Sequence, residues 1–245
     1  MSALIEGRNA VTEALRAGVP VSAVLLASGA EGAPVDEVRR LAAARGIGVR
    51  TVSRRVLDER SVRGAHQGVM AEMAPFAYTP LAEVLERVGE REASLIIVLD
   101  HITDEGNLGA VARCAEVAGA DALVIPKARS AAVGPAAYKT SAGALAHLPV
   151  VRASNLVRVL EELKETGYWA AGATEAASTL AWDAPLEGRI ALVMGSEGEG
   201  LSRLVEKTCD FTVRLPVAGR VGSLNVAQAT AVLALEWARR TSTGR

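Results

Sequence analysis

One run of residues narrows the folds open to this chain more than any other. Ser94 to Asp100 reads SLIIVLD, apolar without a break and then abruptly polar. A strand with one face in water alternates apolar and polar side chains, whereas an unbroken apolar run belongs to a strand buried on both faces. Such strands form parallel sheets with helices on either side, and the loops leaving their carboxyl ends carry ligands and chemistry. The apolar stretch Leu95–Leu99 is also far short of the roughly 20 residues a membrane span needs.

The same alternation of short apolar runs and helical periods extends in both directions. Toward the N-terminus, Ile5–Ala17 has apolar residues at helical spacing and stops at Gly18. Ala23–Ala27 (AVLLA) predicts a buried strand, Val35–Arg45 a helix closed by Gly46, and Val49–Val52 a strand, with Ser53 placed to cap a short helix; Val69–Met73 predicts a further strand. Pro75 and Pro80, with Tyr78 between them, interrupt regular pairing. Beyond Asp100 the pattern predicts a helix over Asn107–Ala118, a strand Ala122–Ile125 stopped by Pro126, and a helix Ser154–Thr166. Strands at Tyr168–Ala173, Ile190–Met194 and Phe211–Leu215 and a long last helix, Asn225–Arg240, complete it. The chain divides into a small α/β unit (1–75), a linker (76–92) and a larger α/β unit with a mostly parallel sheet (93–245). Helix Leu81–Val88 is assignable to the linker or to the second unit.

Composition sets the partners. The 245 residues suit one or two domains, and a hydrophobic share of 50% supplies a sizeable core. A net charge of −1 excludes nucleic-acid binding by bulk positive charge but not by a local patch. Eight aromatic residues are too few for a sheet-wide base-stacking platform. Cys114 and Cys209 have no CxxC partner, and His66, His101 and His147 are scattered, which argues against a metal site. Two thiols and an N-terminus without a long apolar core suggest a cytoplasmic protein. The densest basic segment is Arg50, Arg54, Arg55, Arg60 and Arg63. It is open to two readings, a solvated face or a phosphate-contacting patch.

Three segments could carry chemistry. Gly195-Ser196-Glu197-Gly198-Glu199-Gly200 directly follows the strand ALVM, where glycines permit a tight turn and close ligand approach. It is not a dinucleotide loop, because counting from Gly198 puts Arg203 where the third glycine belongs. Its two glutamates would repel a pyrophosphate and suit a ligand carrying positive charge; a plain turn closing a strand is the other reading. Asp104-Glu105-Gly106-Asn107-Leu108-Gly109 opens a helix bearing Arg113, six residues beyond Asn107 and so only roughly on its face. Arg113 could equally pair with Glu116 or Asp104. Leu215-Pro216, then Gly219–Gly222, then Ser223-Leu224-Asn225 open the last helix. Ser223 is a good N-cap, while an Asn two residues into a helix is less easily explained by propensity.

Taken together, ITDEGNLGAVARCAEVAG, LVMGSEGEGL and LPVAGRVGSLNVAQA resemble, in order, the three motifs of the SpoU, or TrmH-like, RNA ribose 2′-O-methyltransferases of the SPOUT superfamily. The resemblance covers residues 94–245. IEGRNAVTEALRAG and GAHQGVMAE are similar to the ribosomal-protein-like substrate-binding domain of the family's ribosomal RNA guanosine 2′-O-methyltransferases. One departure stands at position 105, where the family's first motif usually has Pro and this chain has Glu.

The resemblance implies a C-terminal α/β domain with a deep trefoil knot, a small N-terminal α/β substrate-binding domain, and a homodimer. It implies S-adenosylmethionine as cofactor, with S-adenosylhomocysteine as product. The matching cofactor positions are Thr174, Gly195, Ser196, Glu197, Gly198, Leu215, Leu224 and Val226, and the matching catalytic positions are Asn107, Arg113, Glu197, Ser223 and Asn225. A ribose hydroxyl is a poor nucleophile until polarised or deprotonated. A guanidinium suits stabilisation of the developing oxyanion better than proton abstraction. Glu197 would orient Arg113 or receive the proton, and Ser223 and Asn225 would position the ribose. RNA contacts would come from Arg8, Arg50, Arg54, Arg55, Arg60 and Arg63, and the expected substrate is a guanosine of 23S ribosomal RNA. The competing substrates are transfer RNA and the ribosomal sites of antibiotic-resistance methyltransferases. A non-catalytic RNA-binding or ribosome-assembly factor is the rival of a different class.

Overall fold

Gly7 decides how the chain begins. Its φ of 101° is open to glycine and does not let a helix run through it. The computed structural model describes residues 4–61, 64–220 and 222–242, and in it Leu4–Glu6 is a strand, β1, while the first helix, α1, is Arg8–Arg16. The single helix expected over Ile5–Ala17 is thereby corrected. Gly7 N–H donates to Val69 O at 3.0 Å, and a Cβ there would lie 3.2 Å from Ala65 O.

The described residues fall into two compact units. One is the chain up to Ala77 together with Val133–Gly143, and the other is the remainder. In the first, β2 (Val21–Ala27), α2 (Ala33–Ala44), β3 (Gly48–Val52), α3 (Arg54–Arg60) and β4 (Val69–Met73) follow α1. The sheet order is β1-β4-β2-β3, with only β2 and β3 parallel. Leu25, Ala27, Leu57 and Met70 form a buried cluster in which α3 closes over β2 and β4. Ser53 occupies the cap position of α3, but its side chain makes no capping bond. Residues 74–80 hold no regular element.

The second unit contains α4 (Leu81–Val88), β5 (Ser94–Leu99), α5 (Glu105–Val117) and β6 (Ala122–Pro126). Then come α6 (Pro135–Ser141), which belongs to the first unit, β7 (Val150–Ala153), α7 (Leu156–Glu165), β8 (Trp169–Ala173), β9 (Arg189–Met194), α8 (Arg203–Thr208), β10 (Phe211–Val213) and α9 (Val226–Ser242). Six strands pair in the order β10-β8-β9-β5-β6-β7, every pair parallel. β5 lies inside this sheet and all six of its residues are buried, which is why its sequence never alternates. Val84 and Val88 of α4 pack in one cluster with Ile96, Val98, Val124, Leu160 and Val193, so α4 shares the second unit's core.

Several expectations are corrected here. Pro126 does not stop β6 but is its last residue, paired with Ala153. Strand β7 and helices α6 and α8 have no counterpart among the expected elements. α9 starts at Val226, so Asn225 precedes the helix: its Oδ1 accepts from Ala227 N–H at 2.9 Å and its carbonyl from Ala229 N–H at 2.9 Å. Asn225 is therefore the cap, the role expected of Ser223.

Candidate active site

A parallel sheet gathers its ligand-binding loops at the carboxyl ends of its strands. Here the loops leaving β8, β9 and β10, with the start of α9, surround a cavity of about 710 Å³. The β9 loop is closed on itself by two bonds, Ser196 N–H to Gly200 O (3.1 Å) and Gly200 N–H to Ser196 O (3.0 Å). A Cβ on Gly195 would stand 2.3 Å from the Gly200 carbonyl carbon, so the loop's own closure requires glycine there. Beneath it, Asp100 is fully buried at the end of β5. Its Oδ2 accepts from Ser202 N–H at 2.7 Å, its Oδ1 faces His101 Nδ1 at 2.5 Å, and its backbone N–H donates to Met194 O at 2.8 Å. The β5 and β9 loops are thus tied together.

Glu197 projects from this loop to meet two asparagine side chains and a backbone N–H. Its Oε1 accepts from Asn225 Nδ2 (2.6 Å), Asn107 Nδ2 (3.2 Å) and Val226 N–H (3.4 Å). Asn225 Nδ2 also donates to Asn107 Oδ1 at 2.9 Å. A carboxylate at the first turn of a 17-residue helix meets the partial positive charge of its free N–H groups as well. Asn107 is held by its own helix start, where Asp104 Oδ1 accepts from Asn107 N–H at 2.7 Å. That bond makes Asp104 the cap of α5 rather than a partner of Arg113.

The structure brings all eight expected cofactor positions to one cavity: Thr174, Gly195, Ser196, Glu197, Gly198, Leu215, Leu224 and Val226 line it, and so do Ser223 and Asn225. Asn107 reaches it through Glu197. Arg113 is exposed on α5 and forms no ion pair with Glu116 or Asp104 among the described residues. Nor does it orient Glu197, which is held by the two asparagines. The next residue, Cys114, ties α5 to α9 by donating to Ala227 O at 3.4 Å; burial pushes this thiol up, with Arg113 partly offsetting it. Sequence reasoning missed Glu175 and Arg214 in the cavity wall and Asp100 beneath it. The abrupt polar end of SLIIVLD was the available signal for Asp100.

In the first unit, Arg8 Nε donates to Gln67 O at 3.1 Å, Arg55 pairs with Glu59 at 2.7 Å, and Arg60 pairs with Glu72 at 2.6 Å. Arg50 and Arg54 are exposed without an ion pair among the described residues. Arg63 lies outside the described residues.

Two family models match the chain. Residues 94–235 match the family described as SpoU rRNA Methylase, and residues 4–79 match the one described as RNA 2′-O ribose methyltransferase substrate binding. A Staphylococcus aureus protein named for the TrmH family of tRNA/rRNA methyltransferases is 37% identical over 238 residues, 97% of this chain and 96% of its own. The crystal structure of the SpoU methyltransferase AviRb from Streptomyces viridochromogenes, in complex with AdoMet, is similar with a TM-score of 0.70 at 27% identity. That match covers 100% of this chain and 92% of AviRb. A crystal structure described as an RNA 2′-O ribose methyltransferase is similar with a TM-score of 0.63 at 30% identity, covering 98% and 88%.

Proposed function

The chain belongs to the SpoU rRNA Methylase family, and from that premise we propose that its substrate is a guanosine ribose of 23S ribosomal RNA. The protein is an S-adenosylmethionine-dependent RNA 2′-O-ribose methyltransferase. The observation that carries the site reading is the convergence of Asn107, Glu197 and Asn225, from three separate segments, beside the 710 Å³ cavity.

The cavity fits the cofactor. Its volume lies in the roughly 300–1,000 Å³ range of small-molecule sites. Glu175, Glu197 and Glu199 outnumber the single Arg214 around it, which suits a cation and not a pyrophosphate. Leu215, Val217, Leu224 and Val226 offer apolar wall to an adenine, and the backbone of residues 195–200 offers polar groups. When bound, S-adenosylmethionine supplies an electrophilic methyl on a sulfonium.

The chain's own residues then prepare the ribose. The Oε1 of Glu197 is fixed by three N–H groups, while Oε2 takes no hydrogen bond among the described residues and is left to accept the 2′-hydroxyl proton. Ser223, exposed at the cavity edge and released from capping, is placed to hold the ribose. Arg113, unneutralised by a neighbouring carboxylate, stabilises negative charge on the attacking oxygen. Arg8, Arg50 and Arg54 supply phosphate contacts, supported by the substrate-binding match over residues 4–79. The trefoil knot, the homodimer and the cytoplasmic setting belong to the same proposal and rest on membership of the family alone. Among the described residues, no helix is long and apolar enough to cross a membrane.

The test pairs binding with turnover. Arg113→Ala should bind S-adenosylmethionine by calorimetry as the wild type does, yet transfer no tritiated methyl to ribosomal RNA. Normal turnover by that variant would discard its role. Label entering only transfer RNA, under the same conditions, would replace the ribosomal substrate with the second one, which the naming of the Staphylococcus aureus relative for both RNAs favours.

A further inference from the structure

Because every strand pair of the second sheet is parallel, all six carboxyl ends lie along one edge. The catalytic cavity takes the ends of β8, β9 and β10. At the opposite end of that edge is a second cavity, of about 270 Å³, walled by the ends of β6 and β7, the first turn of α7, and residues 79–81. Three cations line it, Lys127, Arg152 and Arg158, against one carboxylate, Glu162. None of the three forms an ion pair among the described residues, although Arg158 and Glu162 are one helical turn apart. Arg152 is held in position: its Nη2 donates to Lys127 O at 3.3 Å, and its guanidinium lies 5.2 Å from the centre of the Tyr78 ring.

Three unneutralised cations facing one concavity repel each other unless an anion joins them. Guanidinium forks match the paired oxygens of a phosphate, and an ammonium adds a point charge. We propose that this cavity binds a backbone phosphate of the RNA substrate, at a subsite separate from the methyl-transfer cavity. The proposal rests on the RNA-methyltransferase reading above. Its geometry follows from strand spacing. β7 lies three strands from β9 and four from β8, or roughly 14–19 Å at ~4.8 Å per strand. An RNA strand following the carboxyl edge covers that distance in a few nucleotides. It would present one ribose to Glu197 and Asn107 and a neighbouring phosphate to Arg152. A polymer also suits the exposure of the three cations, since a small free anion is held best by enclosure.

The test uses the full-length protein and a fluorescein-labelled twelve-nucleotide oligouridylate, with affinity read by anisotropy from 50 to 200 mM KCl. The variant Lys127→Gln/Arg152→Gln/Arg158→Gln should bind it at least about fivefold more weakly at the lower salt. Its slope of log affinity against log salt should be smaller by up to about 2, at ~0.7 per single-strand phosphate contact. The charge-preserving variant Lys127→Arg/Arg152→Lys/Arg158→Lys should keep the wild-type slope. A control removing three cations elsewhere, Arg87→Gln/Arg203→Gln/Lys207→Gln, should change it little. Unchanged affinity and slope in the first variant, an equal loss in the control, or failure of the wild type to bind the oligouridylate would each overturn the subsite. Titration of S-adenosylmethionine into the same proteins keeps the two readings apart. Wild type that binds oligouridylate through these residues but not the cofactor would remove the methyltransferase reading and leave the phosphate site standing.

Discussion

At the scale of single residues, Asn225 has two duties that one substitution can separate. Its Oδ1 caps α9 and its Nδ2 donates to Glu197 and Asn107. Serine caps a helix about as well as asparagine, but its one short hydroxyl cannot replace an amide whose two N–H groups reach both Glu197 and Asn107. Asn225→Ser should therefore melt within a degree or two of the wild type yet lose at least about tenfold in turnover. Asn225→Ala should lose activity and also roughly 1 kcal/mol of stability. Equal turnover in the serine variant would reduce Asn225 to a cap. The cap rule ranks Ser and Asn alike, so the sequence does not separate Ser223 from Asn225, and only the start of α9 at Val226 gives the cap to Asn225. A second residue-scale prediction concerns Cys209. Burial pushes its thiol up to about 12, with Asp210 and Glu206 adding to the shift. At pH 8 the native protein should alkylate with iodoacetamide far more slowly at Cys209 than after unfolding in guanidinium, read by mass spectrometry. Rapid native labelling would mean the thiol is not enclosed.

At the scale of elements, the β9 loop and α9 do the positioning. Gly195→Ala puts a Cβ 2.3 Å from backbone that cannot step aside, so the loop must open, at a cost of about 1–3 kcal/mol. Cofactor affinity should fall more than tenfold while circular dichroism stays that of the wild type; unchanged affinity would show that the closed loop is dispensable. α9 carries Glu236, whose carboxyl is hydrogen-bonded by Arg239 and then Arg240 and held at about 2, against burial that pushes it up. Arg240 also donates to Ala184 O at 2.8 Å, and Trp237 Nε1 to Gly188 O at 2.9 Å, which fasten this end of the helix. A carboxyl lowered in the fold stabilises above its unfolded value, 4.5, and that contribution is lost as pH falls toward 2. The melting temperature of the wild type should fall more steeply across that window than that of Glu236→Gln; parallel curves would show that the pair contributes nothing. The elements legible in the sequence were those long enough to show a period or an unbroken apolar run, such as β5, β9, α4 and α7. Those missed were β1 with one buried residue of three, β7 with four residues, α6 with seven and α8 with six. In elements that short, pairing and packing outweigh any local pattern.

At the scale of the whole molecule, a net charge of −1 obliges RNA affinity to come from placed cations. Residues 1–75 carry 10 basic and 8 acidic residues, and 76–245 carry 17 and 20. Pairing narrows the first group further, since Arg55 and Arg60 face Glu59 and Glu72. The cavity proposed for the positively charged cofactor lies in the acidic part, where three glutamates line it. The site was legible as three motifs because each motif is a loop at a strand's carboxyl end. That Asn107, Glu197 and Asn225 bond to one another depends on the order in which β5, β9 and β10 pair, which no local pattern encodes. The most direct test of the central claim maps ribose 2′-O-methylation in ribosomal and transfer RNA from cells lacking the protein. One guanosine site in large-subunit ribosomal RNA should be lost, and restored by the wild-type chain and not by Arg113→Ala. An unchanged ribosomal map, or a site lost only from transfer RNA, would contradict that claim.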